Sequence, residues 1–343
     1  MSRGEWDERP RPIPDRRTGP DPTHVQVGVD TDTELANHAR WLFDQPLSEF
    51  ASVTEYSDSE ELLRALQSYR TAGSRWIFRG QPDADYGLAP SLERLVFDDR
   101  SALGAFLTLE AEEYALTAFK RSALQLVHSP PAANDELEWL SLMRHHGAPT
   151  RLLDWTKSPY VGAFFAVADA SSTKPSAVWV IDGASIKEEA VLLLHRDFPE
   201  LQQLPLYTQI GSAEVFPLIL RKMANYFLGP VVPVEPLIRN ERLTLQQGLF
   251  LCSVSLVCSL ELNLKHMLFR AQESAGSRSH WLHKLVIDPQ VRVPLLRHLH
   301  TMNISYATLF PGIDGFARSI STNVVIRSAQ TSAAQGHRFD EVF

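Results

Sequence analysis

Apolar residues recur at helical spacing in several stretches of the chain. Between 58 and 72, Leu62 and Leu66 fall on one side of a predicted helix, and acidic residues occupy its first turn. Ser158 and Pro159 are a typical N-cap and first residue of another helix. The same spacing predicts further helices at 33–47, 107–127, 135–146 and 293–303, and a last helix after the turn in 308–320.

Short runs of β-branched and aromatic residues between these helices predict strands. Residues 74–80 form the first run, and 242–255 predict a β-hairpin or two short strands around Gln247 and Gly248. The other predicted strands are 150–156, 177–182 and 280–289. Because strands and helices are mixed without a regular strand–helix–strand alternation, the sequence predicts an α+β fold with a mixed or antiparallel sheet flanked by helices.

Composition divides the chain into four parts. Residues 1–24 are rich in Pro, Arg and Asp without periodicity, which predicts a disordered tail. Residues 25–56 predict an N-terminal helical extension, 57–320 hold the main domain, and 321–343 form a C-terminal tail.

Charge and cysteine content narrow the classes of protein that fit. The net charge is -8 with histidines neutral, which argues against a general nucleic-acid coat, because such proteins need an excess of cations. Two cysteines are too few for a disulfide framework and favour a reduced, cytoplasmic location. The longest apolar stretch, 248–260, contains three serines and is too short to span a bilayer, so no membrane segment is predicted.

Arg79 stands at the end of a predicted strand, between Phe78 and Gly80. A guanidinium beside a glycine, where a backbone can be approached closely, suits a phosphate or carboxylate ligand. A structural ion pair explains the same arginine equally well. The residues alone leave both interpretations open.

The segment RHHGAPTRLLDWT gathers several polar groups beside Trp155. On a strand Asp154 and Thr156 share one face, so we expect both to point into one cleft while Trp155 packs. The preceding His145 and His146 have no ligand cluster at zinc spacing, and capping of a helix C-terminus explains them. We therefore predict no metal site.

Two further segments carry polar residues at patterned positions. If 240–248 is extended, Arg242, Thr244 and Gln246 share one face. Further on, two glycines and a proline bracket Asp314, which is typical of a turn leading into a helix and favours a structural role for this aspartate.

Four segments in the same order resemble the FRG domain, a family named for a Phe-Arg-Gly motif. They are IFRGQ (77–81), HHGAPTRLLDWTKSPYVGAFFA (145–166), RLTLQQGLF (242–250) and TLFPGIDGFAR (308–318). The resemblance extends from about residue 57 to about residue 320. It implies a shared fold but little biochemistry, because the family is poorly characterised.

The order of these segments is also similar to that of many ADP-ribosyltransferases. In those enzymes an arginine closes a first strand, a hydroxyl motif lies on a later strand, and a Glu-x-Glu motif ends shortly before a glycine. This likeness implies an NAD cofactor held by Arg79, with Asp154 and Thr156 in the place of the hydroxyl motif. The catalytic glutamate position falls on Arg242, and Glu241 is one residue away, on the opposite face of a strand.

The likeness implies a set of catalytic and cofactor-binding residues. The catalytic candidates are Arg79, Asp154, Thr156, Arg242 and Gln246. The cofactor-binding candidates are Arg79, Gly80, Gln81, His146 and Arg151. Because an arginine repels the positive charge that builds on the ribose, either the chemistry differs or the cleft binds a nucleotide without turning it over.

Two functional hypotheses follow. In the first, an enzyme binds NAD or a related nucleotide in a cleft lined by Arg79, Arg151, Asp154 and Gln246, and transfers ADP-ribose to protein or nucleic acid or hydrolyses the cofactor. In the second, the same residues form an internal polar network in a non-catalytic binding or regulatory module. Charged side chains around an open pocket favour the enzyme, and a closed, fully paired cluster favours the module.

Overall fold

The computed structural model describes residues 31–73, 75–96, 103–238, 240–275 and 281–340. The predicted tail at 1–24 lies outside the described residues. The chain divides into two units, Met1–His38 and Ala39–Phe343, and the fold described below is that of the second unit.

Seven strands and a larger number of helices make up the described part of the chain. The strands are β1 (Ser52–Tyr56), β2 (Trp76–Gln81), β3 (Leu152–Thr156), β4 (Ser176–Asp182), β5 (Val231–Val234), β6 (Gly248–Ser253) and β7 (Leu282–Ile287). The helices are α1 (Thr31–Asp44), α2 (Ser59–Thr71), α3 (Ser91–Val96), α4 (Leu103–Leu126), α5 (Glu136–His145), α6 (Pro159–Val167), α7 (Gly183–Asp197), α8 (Leu206–Gln209), α9 (Val215–Met223), α10 (Glu241–Leu245), α11 (Leu260–Ala275), α12 (Arg292–Thr301), α13 (Tyr306–Leu309) and α14 (Ile313–Asp340). Short 3-10 turns occur at Leu47–Phe50, Pro199–Gln203 and Pro289–Val291.

The strands form one mixed sheet in the order β1-β7-β4-β2-β3-β6-β5. β1 pairs with β7 in parallel, with Ser52 opposite His283, and every other neighbouring pair is antiparallel. The predicted α+β fold with a mixed sheet flanked by helices is therefore confirmed.

Strand β4 shows how the core is divided by the sheet. All seven of its residues are buried, which is typical of a strand covered on both faces. Trp179 and Ile181 belong to one apolar cluster, and Val178 and Val180 belong to the other. Since successive side chains of a strand point to opposite faces, helices cover the sheet on both sides.

Several predicted helix starts depend on side-chain caps that the structure contains. Asp58, Asp135 and Ser158 each accept a hydrogen bond from the backbone N–H three residues further on, at the starts of α2, α5 and α6. The last helix, α14, continues from Ile313 to Asp340 and so includes most of the predicted C-terminal tail.

The prediction of an extended segment over 242–247 is wrong. Residues Glu241–Leu245 form α10, because the side chain of Asn240 accepts a hydrogen bond from the backbone N–H of Leu243 at 2.8 Å and caps the helix. Gln247 then adopts a left-handed conformation with φ 47°, which turns the chain into β6 at Gly248. The helix places Arg242 and Gln246 four residues apart and therefore on one side.

Candidate functional site

A cavity of about 260 Å³ lies at the ends of the two central strands β2 and β3. Residues from α6, α10, α13 and α14 complete its wall. Six of the nine residues predicted as catalytic or cofactor-binding line this cavity: Arg79, Gly80, Asp154, Thr156, Arg242 and Gln246. The structure therefore brings together residues from all four segments that the sequence singled out, since Phe310 and Arg318 of the last segment also line the cavity.

Arg79 reaches into the cavity from the end of β2. Its Nη1 donates a hydrogen bond to the backbone carbonyl oxygen of Asp154 at 2.8 Å. Its Nε is buried and has no hydrogen-bond partner among the described residues. Burial lowers the pKa of Arg79 to about 10, so the guanidinium stays charged at neutral pH. A buried donor on a charged group is costly unless a ligand accepts from it.

Asp154 provides a carboxylate on the adjacent strand. Its Oδ2 accepts hydrogen bonds from both Nε, at 2.9 Å, and Nη2 of Arg144, which comes from α5. Burial acts to raise the pKa of Asp154, but the charge and hydrogen bonds of Arg144, with the charges of Arg79 and Arg242, hold it below the usual range. The carboxylate is therefore ionised and oriented at neutral pH.

Thr156 and Gln246 connect β3 to the end of α10. The hydroxyl of Thr156 donates to the backbone carbonyl oxygen of Gln246 at 2.6 Å and accepts from the backbone N–H of Ser158 at 3.0 Å. The side-chain amide of Gln246 donates to the carbonyl oxygen of Leu309 at 3.1 Å. These contacts fix the position of α10, and with it Arg242, against the sheet.

Aromatic rings and two more arginines form the opposite wall. The guanidinium carbon of Arg242 lies 4.4 Å from the ring centre of Phe310, and that of Arg318 lies 4.0 Å from the ring centre of Tyr306. Asp169 accepts a hydrogen bond from the Tyr306 hydroxyl at 2.5 Å and one from Arg318 at 2.9 Å. Burial and then the bond to Asp169 raise the pKa of Tyr306, which keeps its hydroxyl protonated.

Gly80 is required by the packing of β2 on α6. A Cβ atom at this position would lie closer than 3.0 Å to the carbonyl oxygen of Gly162 and to the backbone N of Ala166. Glycine thus permits the close contact that places Arg79 at the cavity.

Three predicted site residues lie away from the cavity. Arg151 is buried and donates to Glu112 from Nε at 2.7 and 2.9 Å and from Nη2. Gln81 is buried, and its amide accepts from the indole of Trp179 and donates to the carbonyl of Gly87. His146 is exposed at the C-cap of α5. The structure thus gives Arg151 and Gln81 internal partners.

The sequence interpretation missed several residues that surround the cavity. Arg144, Asp169, Tyr306 and Arg318 were not singled out, although Arg318 belongs to the segment containing Asp314. Two of them had a signal in the sequence, since Arg318 closes one of the four motifs and Arg144 opens the polar segment that contains Asp154. Counted together, four arginines face two aspartates around this space, and this excess of positive charge suits an anionic ligand.

The described fold and site define an α+β protein with an arginine-lined cavity at the ends of two antiparallel strands. Residues 74–174 match the family model of the FRG domain. The chain therefore contains an FRG domain, as the motifs predicted, and this match includes Arg79 and Asp154 but ends before the third and fourth motifs. The likeness to ADP-ribosyltransferases stays a prediction.

Comparisons with curated proteins and with solved structures found no match for the chain. Within the described ranges, no helix combines the length and apolar character that crossing a membrane requires. The described residues also contain no group of three or more His, Cys, Asp or Glu side chains placed to hold a metal ion.

Proposed function

We propose that the cavity binds NAD or a related nucleotide and that the protein transfers ADP-ribose from it. The observation that carries this proposal is the buried Nε of Arg79, which has no partner among the described residues in a cavity where other guanidinium groups converge. A phosphate oxygen in the cavity accepts from this N–H and removes the cost of burying it.

The arginines supply the phosphate-binding end of the site. Arg79 and Arg242 line the cavity together with Arg318, and their planar guanidinium groups suit phosphate oxygens. Asp154 offsets only part of their charge, because its carboxylate is also bound by Arg144. An anionic group entering here meets charges that are already oriented.

The aromatic wall supplies the surface for a planar ring. The guanidinium carbons of Arg242 and Arg318 lie 4.4 and 5.6 Å from the ring centre of Phe310, which also contacts the rings of Phe165 and Tyr306. Stacking of a base on such a ring contributes about 1–3 kcal/mol. The volume of the cavity, about 260 Å³, is slightly below the lower limit of roughly 300 Å³ for typical small-molecule sites. The cavity therefore holds one part of a dinucleotide, and the remainder of the ligand lies at the cavity mouth.

Asp154 supports the transfer step. When the bond from the ribose C1′ to nicotinamide breaks, the electron pair leaves with nicotinamide and positive charge builds on the ribose. An ionised carboxylate in the cavity stabilises that charge. The new bond from C1′ forms to an oxygen or nitrogen of a protein or nucleic-acid acceptor, or to water.

A non-catalytic binding module remains the second candidate. Arg242 occupies the place where the resemblance requires a glutamate, and Glu241 is exposed and does not line the cavity. The buried pair Arg151–Glu112 also behaves as a structural network. In this alternative the cavity binds the nucleotide and no bond to nicotinamide is broken.

Calorimetric titration with NAD tests the proposal. We expect saturable binding to the full chain, loss of at least about tenfold in affinity for Arg79→Ala because a charged hydrogen bond is worth about 1.5–3 kcal/mol, and unchanged binding for Arg221→Ala. Arg221 is a matched control because it is exposed on α9 and does not line the cavity. Absence of binding to the folded wild-type protein would refute the proposal.

Release of nicotinamide separates the two candidates once binding is established. The transferase predicts release that depends on Asp154, whereas the binding module predicts none. A cytoplasmic location remains part of the proposal, and it is supported by the small number of cysteines, of which Cys252 and Cys258 are both buried and form no disulfide.

A further inference from the structure

A second, much smaller chamber lies behind Asp154. Its volume is about 20 Å³, and Asp154, Arg242 and Gln246 line both this chamber and the main cavity. His145, at the C-terminal end of α5, lines the small chamber only. Through these shared residues the imidazole adjoins the proposed nucleotide site.

The imidazole of His145 has an unusual polar atom. Its Nδ1 is buried and makes no hydrogen bond, as donor or as acceptor, with any of the described residues. Buried polar groups are nearly always satisfied by protein or by an ordered water. The chamber exceeds the roughly 10–15 Å³ that one water needs, and its lining offers the several polar partners that hold one.

The charges around His145 favour its neutral form. On its own helix it is flanked by Arg144 and His146, and Asp154 and Arg242 face the chamber from β3 and α10. Burial, then the charges of His146 and Arg242, lower the pKa of His145 below its ordinary value of 6.5. At neutral pH one ring nitrogen therefore carries a lone pair that accepts a proton.

We propose that His145 is the proton acceptor of the site, and that one water in the small chamber connects its Nδ1 to the nucleophile in the main cavity. This inference rests on the proposed transfer from NAD. The bond from the ribose C1′ to nicotinamide breaks with its electron pair on nicotinamide, and a bond from C1′ to the nucleophile forms. The proton of the nucleophile passes to the water while the water passes one to Nδ1, which leaves an imidazolium.

The rate of nicotinamide release between pH 5 and 9 tests this role. For the wild-type chain we expect a rate that falls towards low pH with a midpoint below 6.5, since protonated His145 accepts no proton. For His145→Gln we expect the rate of nicotinamide release to fall by about 100-fold or more and to lose its decline towards low pH. Its NAD affinity, measured by calorimetry, should be unchanged. His128→Gln, which alters an exposed histidine after α4, keeps the rate and profile of the wild type.

Several results would overturn the inference. One is full activity of His145→Gln with the fall in rate at low pH retained. Another is a wild-type rate that does not fall at low pH, a result that does not depend on the folding of any variant. NAD binding without nicotinamide release also overturns it, while the nucleotide site stands. Failure of the wild-type chain to bind NAD refutes the proposed function itself, and the inference with it.

Discussion

Arg144 donates two hydrogen bonds, from Nε and Nη2, to the same carboxylate oxygen of Asp154. The two residues come from α5 and β3, which Gly147 and the following loop join. The guanidinium of Arg144 orients the carboxylate and lowers the pKa of Asp154. Arg144 therefore acts on the cavity through Asp154.

We expect the stability conferred by this pair to decline in acid. The pKa of Asp154 is lower in the folded chain than the unfolded value of 3.8, so its contribution is complete above 3.8 and is lost as pH falls through the folded pKa. Urea denaturation of wild type and Asp154→Asn at pH 7 and pH 3 measures the difference. The difference in unfolding free energy between wild type and Asp154→Asn should be smaller at pH 3 than at pH 7. For Asp44→Asn, a control at an exposed residue, the difference from wild type should be the same at both pH values.

Substitution of Arg151, which lies outside the cavity, should cause a large loss of stability. Its guanidinium binds Glu112 and the carbonyl oxygens of Ser253 and Val254 in the core. Arg151→Met leaves the carboxylate of Glu112 buried without a partner, which costs about 3–5 kcal/mol of unfolding free energy. Chemical denaturation measures this loss, and adding Glu112→Gln should restore part of it. Equal stability of the single and double variants would contradict the ion-pair explanation.

Gly80→Ala should destabilise the chain by about 1–3 kcal/mol, because the new methyl group forces β2 and α6 apart. Its Cβ would be too close to backbone atoms of Gly162 and Ala166, which cannot rotate away. Gly183→Ala is the matched control, since its Cβ would meet its nearest neighbour at 3.4 Å. Thermal and urea unfolding of both variants provide the comparison, and a smaller effect at Gly80 than at Gly183 would argue against the close packing.

Phe310→Ala should weaken NAD binding by about 5- to 150-fold, the equivalent of about 1–3 kcal/mol of stacking. Phe316→Ala removes a phenyl ring from the same region, but that ring is 56% exposed and does not line the cavity. Calorimetry on the two variants should therefore show a loss for Phe310 alone. Equal affinities would place the planar ring of the ligand elsewhere.

The sequence predicted the strand ends better than it predicted the partners across the cavity. Asp154 and Thr156 were found because strand alternation fixes which side chains share a face, and Arg79 was found because it stands beside a glycine at the end of a predicted strand. Arg144, Asp169 and Arg318 were missed because their convergence depends on how separate elements pack, and spacing along the chain does not encode that packing. Arg151 was assigned to the cleft, yet its partner Glu112 lies 39 residues away on α4.

The short helix α10 shows why a local pattern misled. The alternation of polar and apolar residues in Arg-Leu-Thr-Leu-Gln fits a strand and also fits one helical turn with Leu243 buried. The signal that decides between them is Asn240, a favoured N-cap just before Glu241. The side-chain periods of a strand and of a helix both place Arg242 and Gln246 on one face. The prediction that these two residues share a face was therefore correct, although the predicted element was not.

The parallel pairing of β1 with β7 has a consequence for synthesis of the chain. β1 ends at Tyr56, and its partner in the sheet begins only at Leu282. A ribosome that adds about 5–20 residues per second leaves β1 without its neighbour for roughly 10–50 seconds. During that interval the hydrogen-bonding groups of β1 facing β7 are open to chaperones or to other nascent chains. Among the strands that the structure describes, the first to be synthesised is thus one of the last to gain its partner in the sheet.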